Sequence, residues 1–112
     1  MDENMENDEF INHVIKLLNP LDDALNKIIL SKDVRTIYFA LADSRERLIQ
    51  FLSKKKINEL VPVLLQMNLW LNKLTRVEQN KNMGYNEVKS IIPRVLKWRK
   101  IVRNVIIDLT HD

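Results

Sequence analysis

Cysteine is absent from the 112 residues of this chain. That excludes disulfides, thiolate nucleophiles and cysteine zinc sites, and it leads us to expect an intracellular setting. Glycine occurs once, at Gly84. Sheet-rich folds use glycine in their turns, so its scarcity favours helices joined by short connections. Phosphate-cradling and dinucleotide-binding loops need several glycines and are excluded as well. No apolar run reaches the roughly 18 residues needed to span a bilayer, so no membrane partner is expected. The first residues, MDENMENDE, are acidic, whereas a secretory signal starts basic and turns apolar. Histidine occurs twice, at His13 and His111, near opposite ends of the chain, and no HExxH-like spacing adds carboxylates to either. Asp22-Asp23 reads as a helix start, and Asp43 with Glu46 as a helix surface. No catalytic set, metal site or cofactor is therefore expected, and the chain reads as non-enzymatic.

What is present is helical periodicity. The chain is 46% hydrophobic and 29% charged, which is globular rather than disordered composition, and its length suits one domain. The clearest segment is Val88 to Leu109. Ile91, Val95, Trp98, Val102, Val105 and Leu109 recur at steps of four and three, the seam of a helix lying along another helix. The same segment carries Lys89, Arg94, Lys97, Arg99, Lys100 and Arg103. Leu96 and Ile107, with Ile92, form a second apolar line inside its polar arc.

Taken in order, residues 1–7 read as a disordered acidic tail and 8–110 as a single helical domain. Asn7, Asp8 and Glu9 suit a helix start, and Phe10, Val14 and Leu17 form a stripe. Asn19-Pro20 interrupts it, yet Leu21, Leu25 and Ile28 continue its phase, so one kinked helix and two separate helices both remain open. Ser31 or Asp33 can cap the next helix, which reaches about Ser53 with Ile37, Leu41, Ser44, Leu48 and Phe51 on one face. Arg45 falls near that face, where a long side chain can snorkel.

Asn58 can cap a further helix to about Val77. Leu60, Val63, Leu64, Met67, Trp70, Leu71, Leu74 and Val77 make a broad face, and Val61, Leu65 and Leu69 a narrower one opposite. Glu78 to Asn86 reads as the one long loop, in which the apolar side chains of Met83 and Tyr85 either serve recognition or fold back over the core edge. The last helix starts at Asn86 or at Ser90, and the second choice puts Pro93 in its first turn. The expected fold is all-α, a compact antiparallel bundle of four to five helices.

Charge is unevenly spread. Residues 1–46 carry ten acidic and five basic side chains, and residues 47–112 carry thirteen basic and five acidic ones. The halves can attract each other across the fold, or the basic half can meet an acidic partner. Lys97, Lys100 and Arg103 lie off the seam of the last helix and are the candidates for nucleic-acid contact.

Val88, Val95, Leu96, Trp98, Arg99, Lys100, Ile101 and Val102 form an end pattern of aliphatics, a tryptophan, basic residues and further aliphatics. Asp33-Val34 through Leu41 follows a short Ser31-Lys32 break. Together these resemble the last and second helices of a family of small bundles in transcription regulators. The family comprises the N-terminal domains of elongation factor TFIIS and the related integrase-binding domain of lens-epithelium-derived growth factor. The family's Ile-Gly or Val-Gly element has its nearest counterpart, displaced, at Met83-Gly84. The resemblance implies a non-enzymatic nuclear scaffold whose interhelical loops hold short acidic-and-aromatic motifs of partner proteins. The corresponding candidates are Lys32, Asp33, Lys81, Met83 and Tyr85. The leading expectation is thus an interaction module for a partner's peptide or helix. Nucleic-acid binding and homo-oligomerisation are the alternatives.

Overall fold

Periodic apolar residues settle the architecture. The structure is a computed structural model that describes residues 2–79 and 84–110, with side chains from Glu9 onward except 77–79 and 87. Four long helices are present: α1 (Asp2–Leu30), α2 (Val34–Lys54), α3 (Val61–Gln79) and α5 (Ile91–Thr110). A 3₁₀ turn, Asn58–Leu60, precedes α3, and a four-residue helix, α4 (Tyr85–Val88), precedes α5. The fold is an all-α bundle with up-down-up-down order. α1 packs closely on α2 and on α5, and α2 packs on α3.

Each long helix buries one stripe. In α1 the fully buried residues Val14, Leu18, Leu21, Leu25 and Ile28 step by four and three. Leu18, rather than the expected Leu17, carries the stripe; Leu17 packs at its margin. Ile37, Leu41, Ser44, Leu48 and Phe51 do the same in α2, and Ile91, Val95, Trp98, Val102 and Val105 in α5. Burying each such aliphatic side chain contributes about 1.5–3 kcal/mol. The one polar member of these stripes, Ser44, donates its hydroxyl to the Ala40 carbonyl at 2.7 Å, so its oxygen is satisfied within the helix.

The question posed by Asn19-Pro20 resolves to one helix, because α1 runs through Pro20. Proline removes one hydrogen bond of the ladder. Leu18 and Leu21 on either side of the missing rung are wholly buried, so tertiary packing keeps the helix continuous across it. Asp22-Asp23 is accordingly mid-helix and not a first turn. The helix also includes the acidic residues 2–8, whose side chains, the expected cap at Asn7 among them, lie outside the described ones.

Other boundaries shift for local reasons. Asp33 is the N-cap of α2: its carboxylate accepts from the Thr36 backbone N–H at 3.1 Å and the Thr36 hydroxyl at 2.7 Å. Asn58 opens the 3₁₀ turn, and no side chain caps it; Pro62 then falls in the first turn of α3, where its missing N–H costs little. α3 continues past Val77 to Gln79, because Glu78 and Gln79 are good helix formers and nothing stops it there. The expected long loop is shortened at both ends, since Tyr85 already begins α4. Lys89 and Ser90 form the turn into α5, which places Pro93 in the first turn of that helix.

Candidate partner groove

The backbones of α1 and α2, α1 and α5, and α2 and α3 pack closely, although a cleft of about 330 Å³ lined by Ala24, Lys27, Phe39 and Ala40 opens between α1 and α2; the backbones of α3 and α5 do not. Over most of their length these two helices run too far apart for close backbone packing. Among the described residues one side-chain hydrogen bond joins them, from the Trp98 indole N–H to the Gln66 side-chain oxygen at 2.7 Å. Trp98 is buried and is the largest side chain of the core, so its polar edge needs such a partner. Nothing in the sequence pattern singled out Gln66, because it lies off the apolar stripe of α3.

An open cleft lies on each side of this tie. One, of about 230 Å³, is lined by Gln66, Leu69 and Trp70 of α3 and Arg94 of α5. The other, of about 520 Å³, is lined by Glu59 and Pro62 at the start of α3 and by Ile101, Asn104, Val105 and Asp108 of α5. Leu69, beside this mixed polar and apolar cleft, is 69% exposed. Lys73 stacks its ammonium 4.5 Å from the centre of the Trp70 ring, adding a cation beside Arg94. The groove therefore has a basic end and an acidic end with apolar walls along both.

The second apolar lines expected on α3 and α5 are exposed: Leu65 at 59%, and Leu96 and Ile107 at 51% each. Val61 is half-buried. They do not converge on one patch. Leu96 and Ile107 share the side of α5 on which Arg99 and Arg103 reach α1, whereas Leu65 follows the outer face of α3.

The nucleic-acid candidates are divided in the same way. Arg103 Nε lies 3.3 Å from Asp22 Oδ1, and Arg99 Nε lies 3.0 Å from the same oxygen. Arg99 also donates from Nη1 to Asn26 Oδ1 at 2.9 Å. The acidic first half and basic second half thus meet across the α1–α5 interface. Lys97 and Lys100 are exposed and form no ion pair among the described residues.

Of the loop candidates, Lys32 is exposed beside Asp33, whose carboxylate is engaged by Thr36. That engagement, from the Thr36 hydroxyl first and its backbone N–H second, holds the Asp33 carboxyl below the ordinary aspartate value. Tyr85 is half-buried and packs against the core. The alternating helix directions bring Tyr85 and the Ser31–Asp33 turn to the same end of the bundle. Lys81 and Met83, like His111, lie outside the described residues. Arg45 donates from Nη1 to Asn68 Oδ1 at 3.3 Å across α2 and α3, while its buried Nε has no partner. Among the described residues, no three His, Cys, Asp or Glu side chains gather as metal ligands, and no helix is long and apolar enough to cross a membrane. No protein-family model, no curated protein and no solved structure matches the chain.

Proposed function

We propose that this protein is a non-enzymatic interaction module that receives a helix of a partner protein in the groove between α3 and α5. The observation that carries this reading is the unequal packing of the bundle. Three helix pairs have closely spaced backbones, while the fourth is joined by the Trp98–Gln66 bond and leaves Leu69, Trp70, Pro62 and Ile101 along two open clefts, against one cleft, at Phe39, between α1 and α2. Apolar walls of this kind suit an amphipathic helix laid along a groove. The resemblance of Val88–Val102 to the end of the transcription-regulator bundles adds transcription or chromatin regulation as the setting. That step rests on those residues and on the Asp33–Leu41 segment alone.

A photo-crosslinking amino acid placed at Leu69 or Ile101, against a control at Phe39 on the α1–α2 side, tests the groove. The expected outcome is a crosslinked partner segment, identified by mass spectrometry, with apolar residues at helical spacing. Equal crosslinking at Phe39, or segments without that spacing, overturns the reading. Titration of labelled duplex DNA and RNA at low salt tests the alternative. Binding abolished by Lys97→Glu with Lys100→Glu, and untouched by Leu69→Glu, would move the function to nucleic acid.

A further inference from the structure

The groove is polar along its length in the electrical sense, and that polarity selects both the sequence and the direction of what it holds. One cleft ends at Glu59 and Asp108; the other ends at Arg94, with Lys73 over Trp70 beside it. Lys56, three residues ahead of Glu59, is not among the residues lining the acidic cleft. Arg94 and Asp108 are separated by four turns of α5, about 21 Å, so a partner helix of roughly 15 residues spans the groove. The α3 wall supplies one apolar side chain to each cleft: Pro62 and Leu69 are seven residues apart. Two apolar anchors of a partner helix set at i and i+7, about 10.5 Å apart, would enter the two clefts.

Resting on the helix-groove reading above, we infer that the occupant is an amphipathic helix of a partner protein, acidic in its first turns and basic in its last, lying parallel to α5. The charge pattern follows from complementarity: carboxylates belong beside Arg94 and Lys73, and ammonium or guanidinium groups beside Glu59 and Asp108. Direction follows from the helix dipole. Helices carry acidic residues best at the N-terminus and basic ones at the C-terminus. Only a helix with its N-terminus at the Arg94 end satisfies the groove and its own dipole together, and that direction is the direction of α5. A helix running the other way would need basic first turns and acidic last turns, opposing its dipole at both ends.

A displayed library of 18-residue peptides tests this, with leucine fixed at i and i+7 and every outward position randomised between Glu and Lys. Selection is against the full chain. The expected pool is rich in Glu over its first two turns and in Lys over its last two. Its members bind roughly tenfold more tightly than the charge-reversed peptides, the effect of a few exposed charge pairs acting together. Glu59→Lys combined with Asp108→Lys, both exposed positions that leave the core intact, removes that advantage. A pool enriched without charge polarity, or with basic first turns, overturns the inference while leaving the groove standing. No enrichment, or enriched peptides that still bind Leu69→Glu and Ile101→Glu chains with native circular dichroism, overturns the groove itself.

Discussion

Gln66→Met should destabilise this protein as a core substitution does, although Gln66 is only half-buried. Trp98 is 1% exposed, and its indole N–H has one partner, the Gln66 oxygen at 2.7 Å. Methionine keeps the length and the helix propensity of glutamine but removes the acceptor. The N–H is then left dry and unpaired, and stranding a buried donor costs about 1–3 kcal/mol. The reverse substitution, Trp98→Phe, removes the donor along with part of the ring. Its own cost comes mainly from lost packing, because the freed Gln66 amide turns to water. Combining the two removes both partners, so the double variant is less destabilised than the sum of the singles by about 1 kcal/mol. Urea unfolding followed by far-ultraviolet circular dichroism measures all four corners of this cycle. A Gln66→Met change smaller than about 0.5 kcal/mol, or strictly additive singles, refutes the claim that this bond ties α3 to α5.

Arg99→Met should cost about 2 kcal/mol by removing charged hydrogen bonds from a pair whose side chains are only 23% and 15% exposed. Arg103→Met, on the same aspartate but 56% exposed, should stay within about 0.5 kcal/mol; equal effects would refute the ranking by burial. Leu69→Lys should leave stability within about 0.5 kcal/mol of the parent while Leu41→Ala costs about 2–5 kcal/mol, as read by thermal denaturation. If Leu69→Lys unfolds the protein, Leu69 belongs to the core and not to the groove. The Asp33 carboxyl should titrate below its ordinary value of 3.8 in a carbon-detected NMR titration. Because its folded pKa is depressed, the stabilisation its cap gives is present above 3.8 and is lost as pH falls through the lower folded value. A midpoint at or above 3.8 would contradict the Thr36 bonds.

Much of the fold was legible from periodicity. The α5 seam from Ile91 to Val105 and the α2 face from Ile37 to Phe51 are the buried stripes, since a 3.5-residue repeat leaves one way to hide its apolar side. Prolines were harder to read. Pro62 and Pro93 do lie in first turns, but Pro20 is inside α1. A local rule weighs one missing hydrogen bond against nothing, whereas the folded chain sets it against Leu18 and Leu21 buried on either side. Asp22 was misread for a related reason. Two aspartates after a proline look like the start of a helix until Arg99 arrives from the far end of the chain.

Little of the groove was legible. Of the second apolar lines on α3 and α5, only Leu69 lines a cleft, whereas Leu96 and Ile107 lie on the α1 side of α5. The loops, by contrast, drew attention through composition, and of their candidates Asp33 is a helix cap and Tyr85 a core-packing residue.

The sequence by itself determined that the chain is helical and which stripe of α2 and α5 turns inward, because spacing and apolarity are properties of each segment alone. Only the tertiary structure decided which helix pairs close and which stays open. That outcome depends on how far apart two stripes are held by side chains such as Trp98 and Gln66, residues from different segments whose meeting no local pattern records.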